Sequence, residues 1–140
     1  MTDYSGYSGT PLVKKLGIKE GFRVGLVNPP NNFLKTLGSL PENVKIVTRL
    51  TKPLDLIMLF SGSERSLKRD FPRLAAKIAA NGMLWVAWPK KSSGVRTDLS
   101  FDNVQSVGLQ AGLVDVKICA MDEVWSGLKF VYRLEVRPLR

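Results

Sequence analysis

The chain has 140 residues, 44% of them hydrophobic and 24% charged, which fits one globular domain and excludes an intrinsically disordered segment. Its formal charge of +9 favours negatively charged partners, although its 21 Lys and Arg residues are spread along the chain with no block of five. There is no histidine and one cysteine, Cys119, which excludes an internal disulfide and removes Ser-His-Asp, Cys-His and histidine-zinc chemistry.

Residues 1–10, with their YSG doublet, read as a flexible arm, and 11–140 as a single domain. Neither a membrane-length apolar run nor a signal peptide is visible, so a cytoplasmic protein without membrane contact is expected. PLVKKLG (11–17) suits a short helix closed by Gly17. FRVGLVN (22–28) reads as a strand with Phe22, Val24 and Leu26 on one face, and NNFLKTLG (31–38) as a short helix. VKIVT (44–48) is a brief strand, and LDLIMLF (54–60), apolar on both faces, a central one.

The segment 63–82 is helical in pattern, with Leu67, Phe71, Leu74, Ala75 and Ile78 on one side and Arg65, Arg69, Arg73 and Lys77 on the other; Pro72 implies a kink or two helices. MLWVAW (83–88) is a second central strand, with Trp85 in the core, and 100–112 a helix capped by Ser100 and stopped at Gly112. In the tail, Val114, Val116, Ile118 and Ala120 share one face of a strand, with Cys119 a buried small hydrophobe. Leu128, Phe130, Tyr132, Leu134 and Val136 share a face of the next, opposite Lys129, Arg133, Glu135 and Arg137. Two antiparallel strands joined around Ser126-Gly127 explain the alternation.

Strands alternating with helices and ending in a hairpin call for a three-layer α/β sheet, mostly parallel. This order, over residues 22–136, resembles the methyltransferase variant of the Rossmann fold, in truncated form. The stretch 49–53 is too short for the usual extra helix and strand; either strand 44–48 is followed by an extended return, or it runs antiparallel.

Ligands of open α/β sheets bind beyond the carboxyl ends of the strands. Four polar loops follow strands here: Asn28 to Asn32, Ser61 to Arg65, Pro89 to Asp98 and Asp122 to Gly127. If they share one rim, Trp88 and Trp125 flank a pocket with ligand-binding candidates Asn28, Ser61, Lys90, Lys91, Ser93, Arg96, Thr97, Asp122, Glu123 and Trp125. Ser61 and Glu64 also have capping-box spacing, and Thr97, Asp98 or Ser100 could cap the next helix.

The sequence has neither G-x-G-x-x-G after its first strand nor a P-loop. The family resemblance implies a glycine-rich first loop and an acid after the second strand to hold S-adenosylmethionine; this chain has GLVNPPNN and Thr48-Arg49. No cofactor or metal is therefore expected. The blocks TPLVKKLGIKEG, LWVAWPKKSSGV and AGLVDVKICAMDEVWSGLKFV are similar to a bacterial family of short proteins, domain of unknown function 3052, which lends no activity.

The main expectation is a non-catalytic or weakly catalytic module binding a small anionic ligand or a partner protein at the rim. One alternative is an atypical methyltransferase-like transferase, with Asp122 or Glu123 as base and Lys90 orienting an anion. Another is nucleic-acid binding through the stripe from Arg65 to Lys77. An exposed edge hairpin could also support a homodimer.

Overall fold

The computed structural model describes residues 10–51 and 53–133. The arm expected over 1–10 falls almost wholly outside the described residues, as do Leu134 to Arg137 of the expected last strand. In chain order the elements are α1 (Leu12–Leu16), β1 (Arg23–Val27), α2 (Phe33–Leu37), β2 (Lys45–Val47), β3 (Leu54–Phe60), α3 (Glu64–Ala75), β4 (Ile78–Pro89), α4 (Phe101–Gln110), β5 (Leu113–Ala120) and β6 (Trp125–Tyr132).

They form one six-stranded sheet in the order β2-β1-β3-β4-β6-β5. β2, β1, β3 and β4 are mutually parallel, and β6 lies antiparallel between β4 and β5. The sheet is a Rossmann-like α/β architecture of the methyltransferase type, mostly parallel and closed by an antiparallel strand, as the element order implies.

From Leu56 to Phe60, β3 alternates between two cores, and the irregularity between Leu54 and Leu56 puts Leu54 on the same side as Ile57. Leu54, Ile57 and Leu59 join Leu67, Phe71 and Leu74 of α3 and Val104 and Val107 of α4. Leu56, Met58 and Phe60 join Leu12, Val13 and Leu16 of α1 and Phe33 and Leu37 of α2. Burial on both faces is why this strand reads as a continuous apolar run. On the α1 side, Trp85 is buried and donates from Nε1 to the Leu16 carbonyl at 3.0 Å, as its core assignment requires. On the α4 side, a Cβ at Gly108 would stand 2.0 Å from the Phe130 ring, so glycine alone lets the helix sit down on β6.

The direction of the short strand is settled: β2 runs parallel to β1. Gly25 is level with both Val47 and Ile57. The return from Val47 to Leu54 therefore descends three residues, about 10 Å, and crosses two strand spacings, about 9.6 Å. The diagonal is roughly 14 Å, within the roughly 20 Å that residues 48–53 can span. This extended return lies across β1, where a Cβ at Gly25 would meet Leu50 at 2.6 Å. A glycine in the strand thus lets bare chain occupy the place where a helix is usual.

Three local expectations are corrected. The helix expected over 63–82 stops at Ala75, and Ile78 pairs with Leu54 as the start of β4, with a register shift between Leu54 and Leu56. Pro72 lies inside α3 without dividing it in two; it donates no bond of its own, and its carbonyl accepts from Ala76 at 3.3 Å. In β5, a bulge between Asp115 and Lys117 breaks the shared face expected of Val114, Val116, Ile118 and Ala120, leaving Val116 and Ile118 about half exposed. Ser126 and Gly127 are not the hairpin turn: they pair with Trp88 and Ala87 inside β6, and the chain reverses over 121–124. The hairpin is also no simple edge, because β6 is interior and β5 alone forms that margin. Cys119 is half-buried against the α1 side.

Candidate functional site

β6 is antiparallel to both β4 and β5, so β5 runs with β4, and the carboxyl ends of β1, β3, β4 and β5 face one rim. The four polar loops do share a side. Short hydrogen bonds tie three of them together. Lys90 donates its backbone N–H to the Val124 carbonyl at 2.7 Å, and Ser61 donates its own to Ala87 at 2.9 Å. Thr97 Oγ1 donates to the Gly62 carbonyl at 2.7 Å, and Asp98 Oδ1 accepts from the Glu64 N–H at 2.8 Å.

These bonds show what several candidate residues do. Thr97 staples the loop after β4 to the loop after β3 and accepts from the Leu99 N–H at 3.1 Å. Ser93 donates to the Lys90 carbonyl at 2.6 Å within a short 3-10 turn, Lys91–Ser93. Asp122 Oδ1 accepts from the N–H groups of Val124 and Trp125, both at 2.8 Å, and so closes the reversal into β6. Ser61 is buried and donates to the Ser63 carbonyl at 3.3 Å. The Ser61 and Glu64 capping box does not form: Ser63 is the side-chain cap of α3, accepting from Ser66 at 3.1 Å, with Asp98 holding the Glu64 N–H from across the rim. Ser100 caps α4 in a reciprocal box with Asn103.

The two tryptophans do not flank one pocket. Trp88 belongs to the core under α3 and α4, whereas Trp125 packs edge-on against Phe60 at 5.0 Å on the opposite face, and Phe60 edge-on against Phe33 at 4.9 Å. Adjacent strand positions alternate faces, and Trp125 pairs with Pro89, one residue beyond Trp88. A cavity of about 350 Å³ opens on the Trp88 side alone. It is lined by Trp88, Pro89, Lys90 and Lys91 at the end of β4, residues 99–102 at the start of α4, and Ser126. Phe101, Asp102 and Ser126 were not singled out in the sequence, although an exposed aromatic straight after a helix cap, Phe101 at 37%, is the signal that marks this wall.

On the other sector of the rim, the chain leaves β1 through Asn28, which holds a left-handed φ of 56°. Asn28, Asn31, Asn32, Thr48 and Arg49 are exposed, and their side chains make no hydrogen bond among the described residues. Lys90, Lys91, Arg96 and Glu123 likewise form no ion pair among the described residues. The expected stripe is only partly paired: Lys77 lies beyond the end of α3, and Arg65 and Lys77 form no ion pair among the described residues. Asp70, with a side chain only 7% exposed, holds Arg69 at 3.1 Å and Arg73 at 3.2 Å, and Glu64 pairs with Lys68 at 3.2 Å. Hydrogen bonding from Arg69, then from Arg73, holds the Asp70 carboxyl below its ordinary 3.8 against the opposing effect of burial.

The fold is Rossmann-like and resembles that of S-adenosylmethionine-dependent methyltransferases. An O-methyltransferase from neocarzinostatin biosynthesis, solved with S-adenosylmethionine and a naphthoic acid, superposes at a TM-score of 0.61 with 13% identity, over 81% of this chain and 49% of that one. Magnesium protoporphyrin IX methyltransferase from Synechocystis PCC 6803 superposes at 0.56 with 11% identity, over 87% and 74%. A ribosomal protein L11 methylase from Lactobacillus delbrueckii subsp. bulgaricus superposes at 0.57 with 10% identity, over 87% and 75%. The chain thus spans about half the length of the first enzyme, and likeness at these identities is likeness of fold. No family model and no curated protein matches the chain.

These neighbours overturn two expectations. A non-catalytic binding module is not supported, and the methyltransferase-like alternative fits the fold better. The expectation of no cofactor is corrected too, since the neighbours were solved with S-adenosylmethionine or its demethylated product bound. No helix of the described residues is long and apolar enough to cross a membrane.

Proposed function

We propose that this chain is a transferase of the methyltransferase fold, carrying S-adenosylmethionine over the ends of β1, β2 and β3 and its acceptor beside the end of β4. The supporting observation is the strand order with every carboxyl-end loop on one rim, shared with methyltransferases solved with that cofactor. The donor set on the β1–β2 sector fits the cofactor's polar groups. The guanidinium of Arg49 suits its carboxylate, and the carboxamides of Asn28, Asn31 and Asn32 can give and accept hydrogen bonds with its ribose hydroxyls. Side chains here take over work that glycine-loop amides and a carboxylate do in the family pattern, since Pro29 and Pro30 have no N–H to offer. Bound there, the cofactor would supply an activated methyl group.

The chain's own contribution lies at the other sector. Asp122 is tied to its turn through Oδ1, so the exposed Glu123 beside it is the better proton acceptor of the two candidate bases. Lys90, on the cavity wall and one hydrogen bond from the same turn, is set to orient an anionic acceptor. Titration calorimetry with S-adenosylmethionine and S-adenosylhomocysteine tests the reading. Saturable binding of both at one site per chain is expected, and absence of heat with either at millimolar ligand removes it.

A further inference from the structure

A separate cationic face lies away from the rim. In the β5–β6 ladder, Lys117 stands directly opposite Lys129, and like charges so placed destabilise a sheet. Lys117 Nζ donates to the Lys15 carbonyl at 3.1 Å, which brings the C-terminal turn of α1 onto the same surface. Burial, and then the charges of Lys117 and Lys19, pushes the half-buried Lys129 ammonium below the ordinary lysine range. Cys119, two residues from Lys117 on β5, has its thiol pushed up mainly by burial, against the opposing charges of Lys15 and Lys117. Three ammonium groups, from the exit of α1, β5 and β6, therefore share one face beside the Lys15 carbonyl. Lys19, Lys117 and Lys129 have no salt bridge among the described residues. A fold of marginal stability gains nothing from such an arrangement by itself. It becomes favourable when an external polyanion supplies the missing charge.

We propose that this lysine face docks the phosphate backbone of a nucleic-acid duplex. The cations are all lysines, point charges that hold phosphate without the two-point geometry a guanidinium imposes, which suits contact with a backbone and no reading of base sequence. A membrane surface is disfavoured by what surrounds them. Among the exposed large apolar side chains, α1 and β6 have none; in β5, Ile118 pairs with Leu128 and faces the α4 side, and Val116 occupies the bulge. The α3 stripe is a separate cationic surface, where Asp70 and Glu64 engage Arg69, Arg73 and Lys68 but leave Arg65 and Lys77 without an ion pair among the described residues, and the variants below tell the two apart.

Fluorescence anisotropy with a labelled DNA duplex and an RNA duplex of the same sequence tests this, read as log affinity against log salt. Three neutralised phosphates give a slope of about −2.7 on B-form DNA. The double variant Lys117→Gln/Lys129→Gln, which removes the repulsion, should cut the slope to about a third and weaken binding at least tenfold, with an unchanged circular dichroism spectrum. The DNA and RNA arms report which duplex is preferred, and binding of either with this signature supports the proposal. Four outcomes overturn it: no binding of either duplex at low salt, a salt-independent affinity, binding unchanged in the double variant, or binding lost instead in Arg65→Glu/Lys77→Glu. Retention on phosphatidylserine vesicles without duplex binding would identify a lipid surface and also overturn it.

Discussion

On the β4–β6 side of the rim, Ser93, Thr97, Asp98 and Asp122 each hold a backbone group of their own or a neighbouring loop. On the β1–β2 side, Asn28, Asn31, Asn32 and Arg49 are exposed with side chains that hold nothing among the described residues. The two sectors are built from similar polar residues and differ in where the hydrogen bonds go. In the first, the hydroxyls and carboxylates are framework, and the lysines they position face outward. In the second, stiff prolines and a left-handed Asn28 shape the loop, leaving the polar side chains open to a ligand. Density of polar residues along the chain is therefore a poor guide to which sector binds.

Breaking the framework sector should give the largest effect. Thr97→Ala/Asp98→Ala removes the staple to Gly62 and the bond to the Glu64 N–H at the start of α3. At about 1 kcal/mol for each lost cap or loop hydrogen bond, the pair should cost about 2 kcal/mol in urea unfolding. An unchanged midpoint would mean that this loop is not framework, and the contrast between sectors would collapse.

The open sector should respond the other way. Arg49→Glu should weaken S-adenosylmethionine at least tenfold in calorimetry, about 1.4 kcal/mol, while unfolding stability stays within about 0.5 kcal/mol, as for surface sites without partners. A large stability loss with unchanged affinity would show that the residue is structural and that the cofactor, if bound, is held elsewhere.

α3 joins the two sectors, and Asp70 on its flank gives it a pH signature. The carboxyl sits below its ordinary 3.8 in the folded chain because Arg69 and Arg73 donate to it. A depressed folded value means the stabilisation is complete above the unfolded value and is lost as pH falls through the folded one. Thermal midpoints should therefore drop as pH falls below about 4, and Asp70→Asn should show a shallower drop over the same acid window.

Much of this organisation was legible in the residues. The double-sided apolar run of 54–60 announced a central strand, and the polar loops after each strand announced a common rim, because both follow from periodicities of two and 3.6. The end of α3 was not legible. Ile78 continues the helical spacing, and only its pairing with Leu54 assigns it to β4. Trp88 and Trp125 looked like two walls of one pocket, since the sequence does not reveal that Pro89 rather than Trp88 is the partner of Trp125. Nor did spacing reveal that Ser63 and Asp98 start α3 between them, because a cap reaching 34 positions along the chain leaves no local pattern. The cavity was missed for the same reason: Phe101, Asp102 and Ser126 meet Lys90 and Lys91 only once α4 and β6 are docked.

The smallest expected effect concerns the margin beyond both sectors. If Lys117 and Lys129 repel across the ladder, a single Lys117→Glu converts a like pair into an opposite one on the same cross-strand site. Opposed charges at that position are worth roughly 0.2–1 kcal/mol, so the variant should unfold at slightly higher urea than the parent, although a surface lysine has been removed. The hydrogen bond from Lys117 to the Lys15 carbonyl is lost in the same step, and being exposed it offsets only part of the gain. High salt separates the contributions, because screening weakens both the repulsion in the parent and the attraction in the variant more than it weakens a direct ammonium–carbonyl hydrogen bond. The stability difference should therefore shrink as salt is raised. A variant less stable than the parent at every salt concentration would mean that Lys117 matters to the fold mainly through the tie between β5 and α1.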